Sequence, residues 1–319
     1  MSPLFLARRL LTLLLTLFVA SLLVFGVLEL LPGNAAQLLM GPDAAPEAVA
    51  ALAEKLGLND AAITRYFHWL TGLLRGDLGE SYAYGTPVAT LIAERLALTV
   101  PLALLAMALA ALLALAAGVF AASRHNRLGD WLVSALSQLG IALPNFWFAI
   151  LLILVFSVGL QWVPAGGFPG WGEGVRPALQ ALALPAVSLA VVQAAILARV
   201  TRGAVLEQLH EDYVRTARAK GLSRRSALWG HVLRNAMVPV TTVMGLQFAN
   251  LLAGTIVIEN VFYLPGLGRL IFQAIANRDL TVVRDCVMLL AAMVVAVNFV
   301  VDLLAAWIDP RLQQQGQRA

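Results

Sequence analysis

The chain has 319 residues, of which 60% are hydrophobic and 13% are charged, and its formal net charge is +4 at pH 7. Soluble domains carry about 25% charged residues, so the composition excludes a soluble globular domain and predicts an integral membrane protein. The small basic excess lies mainly in short polar loops and indicates membrane orientation, not nucleic-acid binding. The single cysteine, Cys286, excludes an intrachain disulfide.

The first apolar stretch covers residues 10–28 and follows Arg8 and Arg9. It resembles a secretory signal peptide, but it is long enough to cross a hydrocarbon core of about 30 Å, and no convincing cleavage site follows it. We therefore predict that residues 1–31 form a cytoplasmic N-terminal tail and an uncleaved first membrane helix.

Residues 32–95 are richer in acids and are predicted to form a long periplasmic segment with interfacial helices. One short helix is expected to end at Gly57. A second, over residues 63–76, is amphipathic and is expected at the membrane interface, where Tyr66 and Trp69 are favoured. Its apolar side is predicted to carry Ile63, Phe67, Leu70 and Leu74. Pro87 is typical of a helix first turn.

Residues 96–319 are predicted to form a core of five further membrane helices, at residues 97–121, 131–159, 178–198, 237–258 and 283–307. Pro144 is expected to kink the third span, and Pro185 and Pro239 to serve as points of flexure. Most of the 22 Lys and Arg residues fall in loops that this plan places inside. Since Lys and Arg beside membrane spans are retained in the cytoplasm, we predict an all-α polytopic protein with six transmembrane helices and both termini cytoplasmic.

One cytoplasmic loop, which we call the basic loop (about residues 201–236), interrupts the apolar core. The pattern predicts a short helix over residues 210–220, with acids at its start and bases at its end as the helix dipole favours. Gly221 is expected to end it, and Ser223 to cap a second helix. The apolar face of that second helix is predicted to carry Leu228, Trp229, Val232 and Leu233. Such an arrangement suits binding to another protein, although a basic loop can also merely fix topology.

Motifs for chemistry within the chain are missing from the sequence. It contains neither GxxxxGK[ST] for ATP phosphates, nor HExxH for zinc, nor GxSxG for a nucleophile. We therefore predict no catalytic residues, no metal site and no cofactor in this chain. Energy for uphill transport would have to come from an ion gradient or from a partner.

Polar residues inside the predicted spans are mostly neutral. They are interpreted as candidates for a translocation path lined by amides, with helix–helix hydrogen bonds worth about 0.6 kcal/mol each as the alternative. Glu29 and Glu259 are expected near the outer mouth, and Asp302 is expected to pair with a base of the basic loop. The path candidates are Gln138, Asn145, Gln193, Gln247 and Asn250.

The stretch DYVRTARAKGLSRRSALWGHVLRNAMVPV (residues 212–240) resembles the cytoplasmic loop of ABC importer permeases of the dipeptide/oligopeptide/nickel family. The family pattern EAA-x3-G falls on Arg215, Thr216, Ala217 and Gly221, so Arg215 stands where the pattern has glutamate. Further stretches resemble the same family in the same order along the chain: LLPGN, LLRGDLGESY, PVATLIAERL, IALPNFWFAILLI, ENVFYLPGLGRL and DPR.

The resemblance implies a transport subunit, not an enzyme, with a type I importer core and several partners. These are a second homologous permease, two cytoplasmic ATPase subunits that carry ATP and Mg²⁺, a periplasmic or lipid-anchored solute-binding protein, and the lipid bilayer of a bacterial inner membrane. It implies import of dipeptides or oligopeptides, with nickel, metal–chelator complexes, glutathione or opine-like solutes as alternatives. The residues implied to couple to the ATPase are Tyr213, Arg215, Thr216, Ala217, Arg218, Lys220, Gly221 and Leu222.

Two other classes of protein remain as alternatives. A secondary transporter driven by protons or sodium would normally require a buried carboxylate or a broken helix at the bilayer midplane, and no mid-membrane acid is evident. An intramembrane hydrolase would require a nucleophile–base pair, and none is recognisable.

Overall fold

The computed structural model describes residues 3–30, 36, 40, 41, 44–55, 57 and 59–308. These are mostly helical, and the β pairing among them is an isolated bridge between Glu80 and Pro87. Within the described part of the chain, five helices are long and apolar enough to cross a membrane, or six if one bent pair is counted as a span, which confirms the all-α polytopic class. The helices are α1 (Pro3–Glu29), α2 (Pro46–Lys55), α3 (Ala62–Arg75), α4 (Val88–Ser123), α5 (Leu128–Ala142), α6 (Asn145–Leu152), α7 (Val175–Leu209), α8 (Asp212–Ala219), α9 (Arg224–Ala227), α10 (Leu233–Val261), α11 (Leu267–Ala276) and α12 (Leu280–Ile308).

Several helices are longer than the spans predicted from hydropathy. α4 begins at Val88, directly after Pro87, so the predicted boundary at residue 95 lies inside a continuous helix. α2 ends at Lys55, just before Gly57, whose φ is +65°. Residues 31–35 and 309–319, with part of the LLPGN stretch and the DPR stretch, lie outside the described residues.

The third span is broken at Pro144. α5 ends at Ala142, and α6 starts at Asn145 and continues as a π-helical segment, Ile153–Gly159. The axes of the two halves differ in direction by 103°. The predicted kink is therefore a complete break in the helix. Leu143 (φ −84°, ψ 127°) and Pro144 (φ −63°, ψ 132°) are both extended, because proline lacks an N–H and disfavours a helical residue before it.

The chain divides into two compact units. The first comprises Met1–Leu10, Val100–Leu264 and Ala296–Ala319. At its centre is α7, which packs on α5, α6 and α10 and runs without interruption through Pro185, as α10 does through Pro239. A Cβ at Gly118 of α4 would lie 2.6 Å from the Thr201 Cβ of α7. Small residues of this kind let membrane helices approach closely.

The second unit comprises Leu11–Thr99 and Pro265–Val295. Its apolar core joins the start of α4 to α11 and the start of α12, through buried residues that include Val88, Leu270, Val282 and Cys286. α11 is a short apolar helix between the last two membrane-length helices. Its first N–H groups lack helical partners, and Thr99 Oγ1 accepts a hydrogen bond from one of them, Leu267 N, at 2.9 Å.

The interfacial helix predicted over residues 63–76 is α3, and the side that packs inside the unit is the one that carries Tyr66 and Trp69, with Leu70 at its edge. Tyr66 and Trp69 are 5% and 7% exposed, whereas Ile63, Phe67 and Leu74 are 67%, 53% and 79% exposed. The aromatic rings pack because each carries a polar atom with a partner inside the unit, which compensates for burial. The exposed apolar side, with Ile63, Phe67 and Leu74, is free to contact lipid.

Candidate functional site

The first helix of the basic loop is α8, and its charged residues lie where the helix dipole favours them. Asp212 lies in the first turn and Arg218 in the last, so both charges are favourable with respect to the helix dipole. Thr216 Oγ1 donates back to the Asp212 carbonyl at 3.0 Å. Arg215 Nη1 lies 3.3 Å from Asp212 Oδ1, but both side chains are largely exposed, so this pair contributes little to stability.

A tight corner closes α8 at the predicted glycine. Gly221 has φ +94°, and Leu222 N donates across it to the Ala217 carbonyl at 3.2 Å. This bond is typical of a Schellman helix end, which requires a left-handed residue. Ser223 Oγ then accepts a hydrogen bond from Ser226 N at 3.1 Å, which confirms Ser223 as the cap of the next helix.

That next helix is not separate from the fifth span. α9 passes through a π-helical segment, Leu228–Val232, directly into α10, so Arg224–Val261 is one membrane-length helix. Leu228 and Val232 are buried as predicted, but Trp229 is 58% exposed and does not share their packed face. The basic loop therefore consists of α8, a corner, and the cytoplasmic start of α10's helix.

The inner face of α8 is fixed to the membrane helices around it. Val214 is 3% exposed and packs in a cluster with Ala204 and Val205 of α7 and with Leu228 and Val232. The Tyr213 hydroxyl donates to Gln208 Oε1 of α7 at 2.7 Å. α8 and the end of α7 are therefore held together by apolar packing and by a hydrogen bond.

The outer face of α8 carries most of the residues implied to couple. Tyr213, Ala217 and Leu222 are half-buried, and the exposed members are Arg215, Thr216, Arg218, Lys220 and Gly221. Arg218 also lines a cavity of about 290 Å³ together with Arg224, His125 and His210. This basic, accessible surface can receive acidic groups of a protein partner.

The candidate path residues are distributed over α5, α6, α7 and α10. Gln193 and Gln247 are each 7% exposed, and Asn250 Nδ2 donates to Gln247 Oε1 at 3.4 Å. Asn145 faces α10, since its Nδ2 would lie 4.0 Å from a Cβ at Gly254. Gln138 is exposed on α5.

The acidic residues are arranged differently from the expectations. Glu259 is 0% exposed, so it does not rim a mouth, and Glu29 pairs with Arg65. Asp302 pairs at 2.6 Å with Arg9 Nη1, not with a base of the basic loop.

Three further buried acids were missed: Asp130, Asp279 and Asp285 are 3%, 1% and 1% exposed. Asp285 lies within the predicted sixth span, beside Arg284. Asp285 is only the third residue of that span, so it is not a mid-membrane acid. Its burial was not predicted, and the available signal was two adjacent charges at the start of an apolar stretch.

Two family profiles cover most of the chain. The profile described as "binding-protein-dependent transport system inner membrane component" matches residues 114–314. Its companion for the N-terminal part of such membrane components matches residues 3–103.

Three similar proteins are named as permeases of transport systems. A putative peptide transport system permease protein of Brucella abortus is 42% identical over 297 residues, covering 93% of this chain and 95% of that protein. A probable peptide ABC transporter permease protein of Sinorhizobium fredii is 38% identical, with 97% and 99% coverage. The glutathione transport system permease protein of Escherichia coli K12 is 40% identical, with 96% and 97% coverage.

A solved structure supports the fold. The crystal structure of an amino acid ABC transporter with histidines covers 70% of this chain and 94% of that chain, with a TM-score of 0.50 and 16% identity. The family match, the relatives and the helical core agree with the resemblance found in the basic loop. The chain is therefore a membrane-spanning permease of the binding-protein-dependent ABC importer family.

Proposed function

We propose that this chain is the permease subunit of an ATP-driven importer that carries dipeptides or oligopeptides across a bacterial inner membrane into the cytoplasm. Membership of the family implies an ATPase and a solute-binding protein as partners. In the proposed complex a second, homologous permease completes the path, and two ATPase subunits bind below. The names of several relatives, peptide transport permeases at 38–42% identity, support the peptide substrate.

The observation that carries the proposal is the geometry of α8. Its outer face exposes Arg215, Arg218 and Lys220, and its inner face packs through Val214 against the end of α7. When an ATPase bound to this outer face changes conformation, it therefore moves α7 and the helices packed on α7. Because Arg215 replaces the glutamate of the general pattern, we expect its contact on the ATPase to be acidic.

The corner at Gly221 provides the first test. A Cβ there would meet nothing within 4 Å, so the only obstacle to a side chain is the backbone at φ +94°. β-Branched residues are strongly disfavoured at positive φ, and Gly221→Val should displace α8 from its partner. We expect uptake of a labelled dipeptide to be lost and the ATPase to run uncoupled, while the protein still inserts.

Gly203→Val is the matched control, since Gly203 lies on α7 in equally open space and without a positive φ. It should leave uptake unchanged. Full uptake by the Gly221→Val complex would refute the coupling role of this corner.

The energy source separates this proposal from a gradient-driven transporter. The broken third span and the buried Asp285 are features that such a transporter could use, but Asp285 is held by Trp69 and Arg284. In proteoliposomes, uptake should stop on removal of ATP with the ion gradients kept, and it should survive ionophores. The opposite pattern would favour the secondary transporter.

Glutathione is the second candidate substrate, because the Escherichia coli glutathione permease is 40% identical over 306 residues. Nickel and metal–chelator complexes have no comparable support among these relatives. Purification of the cognate solute-binding protein with its bound solute, followed by mass spectrometry, should identify a peptide. Recovery of glutathione or a metal complex instead would change the assigned cargo but not the mechanism.

A further inference from the structure

Asp130 and Arg202 form a partly buried ion pair between α5 and the cytoplasmic end of α7. Arg202 reaches Asp130 with two nitrogens: Nη2 donates to Oδ2 at 2.8 Å, and Nε donates to Oδ1. The Asp130 side chain is 5% exposed and that of Arg202 is 28% exposed. Such bidentate geometry fixes both position and orientation, unlike the exposed pair between Arg215 and Asp212.

Asp130 also organises the turn that joins α4 to α5. Its Oδ2 accepts a hydrogen bond from the backbone N–H of Asn126 at 3.0 Å, and Asn126 itself adopts φ +60°. His125 Nδ1 lies 3.4 Å from the same oxygen. One carboxylate thus holds the left-handed turn and the guanidinium of α7 together.

The pair lies close to the end of α7 that carries α8. Arg202 precedes the last residue of α7, Leu209, by about two helical turns, and Ala204 and Val205 between them pack against Val214 of α8. Displacement of α8 therefore reaches Arg202 through a short, packed stretch of helix.

Asp130 lies on α5, and α5 connects the pair to the broken third span. α5 lies tightly along α7, since a Cβ at Gly140 would lie 2.9 Å from the Ala195 Cβ. α5 ends at the Pro144 break, beyond which Asn145 of α6 approaches Gly254 of α10. A continuous chain of contacts therefore connects α8 to the break.

We infer that Asp130 and Arg202 are positioning residues that transmit the movement of α8 to α5 and thus to the broken third span. This inference rests on the proposed coupling role of α8. Without the pair, the ATPase would still move α7, and α5 would follow it only through the packing around Gly140, while the start of α5 and the turn at Asn126 would no longer be fixed to α7. The pair touches no solute and no nucleotide in this scheme.

The test uses the complete importer in proteoliposomes with the loaded solute-binding protein. Asp130→Asn and Arg202→Gln each remove one charge, Arg202→Lys keeps the charge without the two-nitrogen geometry, and Asp130→Arg with Arg202→Asp exchanges the charges. Arg199→Gln is the matched control, because Arg199 is an exposed arginine on the same helix. Dipeptide uptake, basal and stimulated ATPase rates, complex assembly and the thermal midpoint are measured.

We expect the single variants to lose uptake and stimulation of the ATPase by about tenfold, within the range typical of coupling between sites, in complexes that still assemble. Arg202→Lys should show a smaller loss, and Arg199→Gln should match the unmodified protein. The exchanged pair should regain only part of the coupling, because an arginine at position 130 cannot accept the hydrogen bond from Asn126 N–H.

The inference is overturned if assembled Asp130→Asn complexes keep full stimulation, or if uptake falls only in proportion to assembly and thermal midpoint, as a merely stabilising pair would produce. If the charge-removing variants do not assemble, Arg202→Lys decides: reduced stimulation supports the inference and unchanged stimulation overturns it. Gly221→Val is measured in parallel. If it uncouples the ATPase while the pair variants do not, only this inference fails; if it too transports normally, the proposed coupling role of α8 fails first.

Discussion

Asp285 is the residue whose contacts most clearly explain how the second unit holds α3. Its Oδ1 accepts a hydrogen bond from Trp69 Nε1 at 2.7 Å, and Arg284 Nε lies 3.3 Å from the same oxygen. The Arg284 guanidinium also lies over the Trp69 ring, 4.8 Å from its centroid. Asp279 acts similarly on the following segment, since its Oδ2 accepts from Ser81 Oγ at 2.6 Å. Two buried carboxylates thus attach the region before α4 to the start of α12.

We predict that Trp69→Phe destabilises the protein. Phenylalanine keeps the apolar packing but cannot donate, and loss of one partner of a buried acceptor costs about 1–3 kcal/mol. The thermal unfolding midpoint in detergent should fall. Trp131→Phe is the control, because Trp131 is 76% exposed. Equal midpoints for the two variants would show that the bond to Asp285 contributes nothing.

These pairings could not be predicted from one sequence. Trp69 and Asp285 are separated by 216 positions, and Arg9 and Asp302 by 293. Local sequence patterns predict contacts only between residues that are close along the chain, such as neighbours on one helix face. Ser223 and Gly221 were predictable for the same reason, because the groups they satisfy lie within a few residues along the chain.

At the scale of helices, contacts through glycine fix how closely the elements pack. A Cβ at Gly245 of α10 would lie 2.1 Å from Val301 Cγ2 of α12, and Val301 is 7% exposed. Valine is stiff at χ1, so it cannot turn away easily. The α10–α12 contact is therefore possible only while residue 245 has no side chain.

Gly245→Ala should lower the free energy of unfolding by about 1–3 kcal/mol, as is typical of overpacking. The double variant Gly245→Ala with Val301→Ala should recover much of that loss, because the space vacated by the valine methyls accepts the new one. Thermal unfolding of the single and double variants measures the coupling. Gly26→Ala, where a Cβ meets nothing within 4 Å, should be neutral. Additive effects of the two substitutions would contradict the predicted contact.

The break in the third span shows what a sequence pattern can and cannot specify for an element. Pro144 predicts an interruption, because proline removes an N–H and restricts residue 143. The bend of 103° depends on the packing of α6 against α7 and α10, which involves distant residues. The position of the break was therefore predictable, and its angle was not.

At the scale of the whole molecule, composition determined the class and ordered motifs determined the family. A charged fraction of 13% leaves a chain of this length few options outside the membrane. The basic loop then indicated a protein partner, because retention of a loop in the cytoplasm requires basic residues but not the specific sequence RTARAKG (residues 215–221). The division into two compact units had no counterpart in the sequence, since it joins segments far apart in the chain.

Orientation in the membrane is the last prediction, and the single cysteine makes it accessible to labelling. Cys286 is buried in an apolar cluster, so Cys286→Ala should provide a functional background without thiols. In that background, Ser226→Cys lies on the basic loop and Ala165→Cys on the loop before α7, and both positions are exposed. Because Lys and Arg retain the basic loop inside, a membrane-impermeant maleimide should label position 165 in intact cells and position 226 only after permeabilisation. The reversed pattern would place α8 out of reach of any cytoplasmic ATPase and would end the proposed mechanism, whereas labelling of both positions in intact cells would exclude the six-span arrangement itself.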